Sequence, residues 1–165
     1  MTDDFSIEYE KLQRRMVRQK MHSIWQVAQS GNMDGLKDEE MQIAQVMMEH
    51  KEYNKDFNKS GELIDHEYNP ESDLYIFMHI GIHMVVENQL KHKEPIEACE
   101  FYNAMKERGV SHHEITHYIS FILMPLIFDT LKHLKPFDDK RYKSLLRKYK
   151  DTDPKRFEAL MKKGI

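Results

Sequence analysis

Residues 111–134 read SHHEITHYISFILMPLIFDTLKHL and contain the longest apolar stretch of the chain. Ser111 and Glu114 have the spacing of a capping box, in which two side chains satisfy backbone N–H groups at the start of a helix. We therefore predict a helix over 111–134. Pro125 lies inside it and should kink it, because proline removes one backbone hydrogen-bond donor.

The apolar run within this segment is interrupted by His117, Ser120 and Pro125. It falls short of the roughly 18 consecutive apolar residues that span a bilayer, so no membrane association is expected. The N-terminal sequence MTDDFSIEYEK is acidic and lacks the apolar core of a signal peptide. Cys99 is the only cysteine, which excludes an internal disulfide framework. These features favour a reduced, cytoplasmic protein.

Helical signals recur along the whole chain, which has only six glycines and five prolines to interrupt them. No segment alternates β-branched and polar residues as a strand would. The other predicted helices cover 6–30, 35–50, 69–91, 95–109, 139–150 and 154–162. We predict an all-α fold, a helical bundle of about five main helices with two short C-terminal helices. Residues 1–135 would form the bundle domain, and 136–165 a basic extension packed on it or appended to it.

The predicted helices also define a core and one long loop. Asn69 and Pro70 predict a helix start, as cap and first turn. The polar segment 51–69 is predicted to be a loop, and loops of this length are uncommon inside compact domains. The residues predicted to face inward are Ile7, Leu12, Met16, Met21, Ile24, Trp25 and Ala28; Ile43, Ala44, Met47 and Met48; and His113, His117, Phe121, Met124, Phe128 and Leu131.

Two histidine pairs are the most informative chemical pattern in the sequence. The chain has ten histidines. His79 and His83 are four residues apart, as are His113 and His117, so each pair projects from one face of its helix. Glu87 continues the first face by one more turn. The two pairs lie on different helices, which are the two most apolar helices predicted. Each pair is therefore beside or within the core.

Buried imidazoles need compensation, because an unpartnered buried polar group costs roughly 1–3 kcal/mol. Hydrogen bonds, solvent in a cleft or a shared metal ion would each provide it, and helical bundles build metal sites from inward histidines and carboxylates. The predicted ligands are His79, His83, His113 and His117, with Glu87, Glu49 or His50 completing the set. Such a site would suit Zn, Fe, Mn or Ni. The alternative is a hydrogen-bonded histidine cluster that lines a pocket.

Several of these segments resemble a known family. They are Ile24-Trp25, the run MEHKEY at 48–53, HIGIH at 79–83 followed by ENQL at 87–90, and SHHEITH at 111–117. In this order they resemble the bacterial family called domain of unknown function 1841. The resemblance covers about residues 16–131 and implies an α-helical bacterial protein with no established activity.

The chain departs from that family's pattern in two places. Phe121 stands one turn after His117, where the resemblance implies a carboxylate, and the segment after Leu134 is an addition. The missing carboxylate argues against a carboxylate-rich di-iron centre. A wider similarity is to hemerythrin-like bundles, which also use His-x-x-x-Glu and His-x-x-x-His. Their last histidine and aspartate would correspond to His133 and Asp138, but Pro136 separates the two here.

The metal hypothesis has two forms. In the hydrolytic form, three histidines hold one ion that activates water, and Glu87 or Glu49 is the candidate base. In the redox form, a carboxylate bridges two metals. The scarcity of inward carboxylates favours the mononuclear form. The sequence alone assigns no reaction.

The C-terminal segment suggests a different class of function. Residues 140–163 carry ten Lys or Arg against three Asp or Glu, although the whole chain has a net charge of −3. A non-enzymatic interaction module could use this basic tail to dock a protein partner or a second copy of the chain. Nucleic acid is not expected, because the tail lacks interleaved aromatics and glycines and the pI is 6.4. A third hypothesis is a pH-sensitive histidine cluster, whose stability would fall as buried imidazoles become charged.

Overall fold

The computed structural model describes residues 2–66 and 76–163, and within them every regular element is helical. The helices are α1 (Thr2–Ser30), α2 (Asp38–Glu49), α3 (Asn54–Asn58), α4 (Ile76–His92), α5 (Ile96–Glu107), α6 (His112–His133), α7 (Asp139–Tyr149) and α8 (Pro154–Lys163), with a 3-10 turn at Lys51–Tyr53. The all-α prediction is confirmed. The arrangement as one bundle stays a prediction, and the predicted cap at Asn69 and Pro70 lies outside the described residues.

The helices group into two compact units, Met1–Gly81 and Ile82–Ile165, and the boundary falls inside α4. In the first unit α1 packs against α2 and α3. In the second unit α5 packs against α6 and α7, and α6 also contacts α7 and α8. The boundary predicted at residue 135 stays a prediction.

The C-terminal half of α1 forms the centre of the first unit. Met21, Ile24, Trp25 and Ala28 are buried, as their spacing predicts. The Trp25 ring lies 5.0 Å from that of Phe57, and the Trp25 indole donates a hydrogen bond of 2.9 Å to the Asn58 side chain. These contacts anchor α3 to α1.

Three inward positions predicted for the first unit are wrong. Leu12 and Met16 are 52% and 57% exposed, and Met48 is 45% exposed. The spacing of Leu12 and Met16 is that of a buried stripe, but every described side chain from residue 9 to residue 17 is exposed. Periodicity identifies an apolar face, whereas burial also needs a neighbouring element to cover it.

The segment after α2 is more ordered than the predicted loop. Residues 51–58 form the 3-10 turn and α3, and turns continue to residue 65. Phe57 explains the difference, because its side chain is fully buried and fixes this polar segment to the core.

Arg18 holds the end of that segment against α1. Its side chain is buried, and one guanidinium nitrogen donates to the carbonyl oxygens of Leu63, Ile64 and His66 at 3.3, 3.4 and 2.6 Å. Hydrogen bonds to a charged group are worth about 1.5–3 kcal/mol each when well formed. The backbone of the turn thus compensates for the burial of this charge.

In the second unit, α6 buries a different face from the predicted one. Phe128 and Leu131 of the predicted stripe are 45% and 62% exposed. The buried apolar side chains are Ile115, Tyr118, Ile119, Ile122, Leu123 and Leu126. The prediction is wrong because α6 is apolar on most sides, so its periodicity does not select one face. By length and composition α6 is also the one described helix that could cross a membrane, a test that core helices of soluble proteins equally pass.

The two C-terminal helices pack through their apolar faces. Tyr142, Leu146 and Tyr149 of α7 and Phe157 of α8 are buried. The Tyr118 hydroxyl of α6 donates to Glu158 of α8 at 3.0 Å. Burial and this neighbouring carboxylate raise the pKa of Tyr118 to about 12. The basic side chains therefore occupy the outer faces of α7 and α8.

The predicted capping box is present at the start of α6. The Ser111 N–H donates to the Glu114 carboxylate at 3.1 Å, and the Glu114 N–H donates to the Ser111 hydroxyl at 3.3 Å. The Ser111 hydroxyl also donates to the Glu114 carboxylate at 2.5 Å, and this bond, followed by the one from the Ser111 N–H, lowers the pKa of Glu114. The box therefore stabilises the fold above the ordinary glutamate pKa, and its contribution is lost as the pH falls through the lowered value.

Ser111→Ala is expected to reduce the free energy of unfolding by about 1 kcal/mol, because it leaves a helix N–H without its cap. Urea denaturation at pH 7 measures this loss. Ser144→Ala is the matched control, because Ser144 is exposed in the middle of α7. That control should be neutral or slightly stabilising, since alanine has the higher helix propensity. Equal losses in both variants would contradict a specific cap.

Candidate metal centre

Helix α4 carries the first histidine pair. His79 and His83 are one turn apart on this continuous helix, which runs from Ile76 to His92. His83 is 2% exposed and His79 is half-buried. Most of their neighbours on α4, including Ile80 and Ile82, are buried and apolar. The sequence thus presents two imidazoles from one face of a helix that is otherwise part of the core.

In the first unit, His50 meets His79. His50 is fully buried directly after α2, and its Nδ1 lies 2.7 Å from the carbonyl oxygen of Val46. A carbonyl only accepts hydrogen bonds, so Nδ1 carries the proton and Nε2 of the neutral ring keeps its lone pair. This Nε2 lies 2.8 Å from Nε2 of His79, whose N–H is therefore the donor. A backbone carbonyl that fixes the tautomer in this way is typical of metal-binding histidines.

Tyr53 completes this aromatic group. Its ring stacks on His50 with a centroid separation of 5.9 Å and an interplanar angle of 7°, and it lies edge-on to His79 at 5.2 Å. Burial raises the pKa of Tyr53, with further contributions from Glu52 and Asp56. The Tyr53 ring restricts how the two imidazoles can rotate. The 3-10 turn after His50 places it there.

In the second unit, His83 meets the histidines of α6. Its ring centroid lies 4.6 Å from that of His117 and 5.8 Å from that of His113. His113 and His117 are themselves 4.4 Å apart. His83 of the first His-x-x-x-His motif therefore contacts both histidines of the second motif.

Four histidines together could hold a metal ion. Each offers one ring nitrogen, and the four nitrogens lie within 4.8 Å of one another. The four are His50, His79, His83 and His117. His113 contacts two of these rings but does not supply a nitrogen to the group.

The carboxylates proposed from the sequence lie elsewhere. The Glu87 carboxylate is 2.8 Å from Nε2 of His112 and accepts a hydrogen bond of 3.3 Å from the Thr116 hydroxyl. Glu49 is exposed at the end of α2. Neither belongs to the four-nitrogen group, so its donor atoms are all imidazole nitrogens.

A second hydrogen-bonded group beside α4 was missed from the sequence. Nδ1 of His112 lies 3.0 Å from the Tyr102 hydroxyl, and Nε2 of the same ring faces Glu87. Burial and the nearby Glu87 raise the pKa of Tyr102. His112 adjoins a His-x-x-x-His motif without belonging to it, and no local spacing connects it to a residue on α4. Only the tertiary structure identifies this group.

The family described as Domain of unknown function (DUF1841) matches residues 13–148 of the chain. This range contains all four clustered histidines. No curated protein and no solved structure matches the chain.

Proposed function

The chain belongs to the DUF1841 family, whose description states no activity, and we propose that it is a protein that binds one divalent transition metal ion. The proposed ligands are His50, His79, His83 and His117. The observation that carries this proposal is the convergence of four histidine nitrogens within 4.8 Å. His113 would then support the ligands rather than bind the ion.

The chemistry of the donor atoms supports one ion rather than two. Bridged di-metal centres use carboxylates, and the four-nitrogen group contains none. Imidazole suits Zn, Fe and Ni, whereas Mn favours carboxylate and water oxygens. Of the metals predicted from the sequence, Mn is therefore the weakest candidate.

The four imidazole donors also indicate which role the ion would have, structural or catalytic. Zinc is usually four-coordinate in structural sites, and catalytic zinc keeps one position open for water. Four imidazoles would fill a tetrahedral zinc site. The candidate base Glu87 is held by His112 and Thr116, and Glu49 is exposed. We therefore propose metal binding and assign no reaction.

Elemental analysis of the chain purified without an affinity tag tests this proposal. We expect one transition metal ion per chain and a visible spectral change when Co(II) is added to the metal-free protein. His79→Ala should weaken binding by at least about 100-fold, more than the roughly 10–100-fold loss that outer hydrogen-bond partners cause.

His92→Ala is the matched control, because His92 lies exposed on the same helix. His92→Ala should still bind one transition metal ion per chain. A wild-type chain with no bound metal and no Co(II) spectrum would contradict the proposal. The hydrogen bond between His79 and His50 would then favour the alternative, a histidine cluster without an ion.

The location and partners predicted from the sequence remain proposals. We propose a cytoplasmic protein that docks a protein partner, not nucleic acid, through its basic C-terminal helices. Because the apolar faces of α7 and α8 are buried, such a partner would contact their charged outer faces. Some of that charge is already paired, since Arg147 contacts Glu97 and Lys150 contacts Glu100.

A further inference from the structure

The N-terminal half of α1 exposes a group of large apolar side chains. Tyr9, Leu12, Met16 and Val17 are 58%, 52%, 57% and 51% exposed. Every described side chain from Tyr9 to Val17 is exposed, and Arg18 is the first buried side chain among those that the structure describes on α1. Clustered apolar exposure of this kind marks interaction surfaces in soluble proteins.

The length of α1 adds to the need for a covering partner. The whole of α1 has 29 residues, or a length of about 43 Å at 1.5 Å per residue. Helices in proteins gain most of their stability by packing an apolar face, and isolated segments of about this half-length are marginal in water. A partner that covers the face would supply the missing stabilisation.

The spacing of the apolar residues identifies the kind of partner. Tyr9, Leu12 and Met16 follow one another at intervals of three and four, the spacing of the core positions of a coiled coil. Phe5 continues this spacing in the sequence, four residues before Tyr9. The next positions in the other direction are Gln19 and Ser23, so the apolar stripe ends at Met16.

We propose that this stripe, Phe5 to Met16, pairs with the same stripe of a second copy of the chain in an antiparallel coiled coil. The stripe is symmetric about a point between residues 10 and 11. Phe5 and Met16 are equally distant from that point in sequence, as are Tyr9 and Leu12. An antiparallel pair centred there places each of these four positions of one copy opposite one of the same four positions of the other.

The charge pattern of the sequence also favours a second copy of the chain as the partner, and antiparallel helices. Acidic residues occupy positions 3, 4, 8 and 10, and basic residues occupy positions 11, 14, 15, 18 and 20. Antiparallel pairing sets the acidic part of one copy against the basic part of the other, whereas parallel pairing in register sets like charges together. Arg15 contacts Asp65 at 2.8 Å in a well-exposed pair, which binding of a second copy could exchange at little cost.

Sedimentation equilibrium of the full chain tests the interface. We expect a reversible monomer–dimer equilibrium. Leu12→Glu should weaken it by about 100-fold or more, because the twofold symmetry removes two buried leucines at once. Leu134→Glu is the matched control, since Leu134 is 94% exposed and lies outside α1, and it should leave the equilibrium unchanged. Both variants should keep their helical circular-dichroism spectrum.

Disulfide trapping in a Cys99→Ser background tests the direction. Mixed chains carrying Tyr9→Cys and Leu12→Cys should form the mixed disulfide on mild oxidation, and Met16→Cys alone should form little. Rapid disulfide formation by Met16→Cys would indicate parallel helices and overturn the proposal. A chain that is monomeric at all concentrations, or a dimer insensitive to Leu12→Glu, would also overturn it. So would a monomer that instead binds anionic lipid vesicles through this stripe.

Discussion

Phe157→Ala is expected to lower the free energy of unfolding by about 3–5 kcal/mol, the range for removing a buried phenylalanine side chain. Phe157 is fully buried on α8. Its ring centroid lies 4.8 to 6.4 Å from those of Phe101, Tyr118, Phe121 and Tyr149. The substitution would leave a cavity among side chains from three other helices and loosen α8.

Urea denaturation followed by circular dichroism measures this effect, and thermal unfolding should show a fall of about 6–20 °C at roughly 2–4 °C per kcal/mol. Phe137→Ala is the matched control. Phe137 is 38% exposed and contacts the ring of Tyr142 at 5.8 Å. Phe137→Ala should lower the free energy of unfolding far less than Phe157→Ala does. If the two variants lose similar amounts, Phe157 does not hold the C-terminal helices in the way that its burial indicates.

His83→Ala is expected to abolish stabilisation by metal. An ion that binds only the folded chain stabilises it by about 2.7 kcal/mol at a free concentration 100 times its Kd. For a chain of this size we expect a rise in Tm of roughly 5–10 °C on adding zinc to the wild type. His83 lies close to both α4 and α6 ligands, so the variant should show almost no rise at the same zinc concentration.

The control must separate ligand loss from cavity formation, because His83 is nearly fully buried. Met84→Ala serves this purpose, since Met84 is the next residue and is 8% exposed. It should lower the Tm of the metal-free chain and still show the full zinc-dependent rise. A zinc response retained in His83→Ala would remove His83 from the proposed ligands.

Local signals in the sequence predicted the helices well. The capping box at Ser111 and Glu114 placed the start of α6, because both partners lie within one turn of each other. Spacing alone put His79 and His83 on one face of α4. These predictions succeed because the interactions that decide them join residues close together in the chain.

Predictions that depend on neighbours from distant parts of the chain were less successful. The exposure of Leu12 and Met16 depends on which elements reach α1, and the buried face of α6 depends on α5, α7 and α8. Phe57 gave no helical pattern in its polar surroundings, yet its burial orders that segment. The contact between His112 and Glu87 joins residues 25 positions apart. None of these contacts produces a periodic pattern in the sequence.

The buried Arg18 has a consequence for how the first unit opens. Pulling residues 63–66 away from α1 would break the three hydrogen bonds that the Arg18 guanidinium donates to their carbonyl oxygens. Local fraying of this irregular segment is thereby penalised, and its amides should exchange with solvent deuterium more slowly than those of a surface turn without such an anchor. A stretch that resembles an ordinary surface turn would then resist proteases almost as well as the helix to which it is tied.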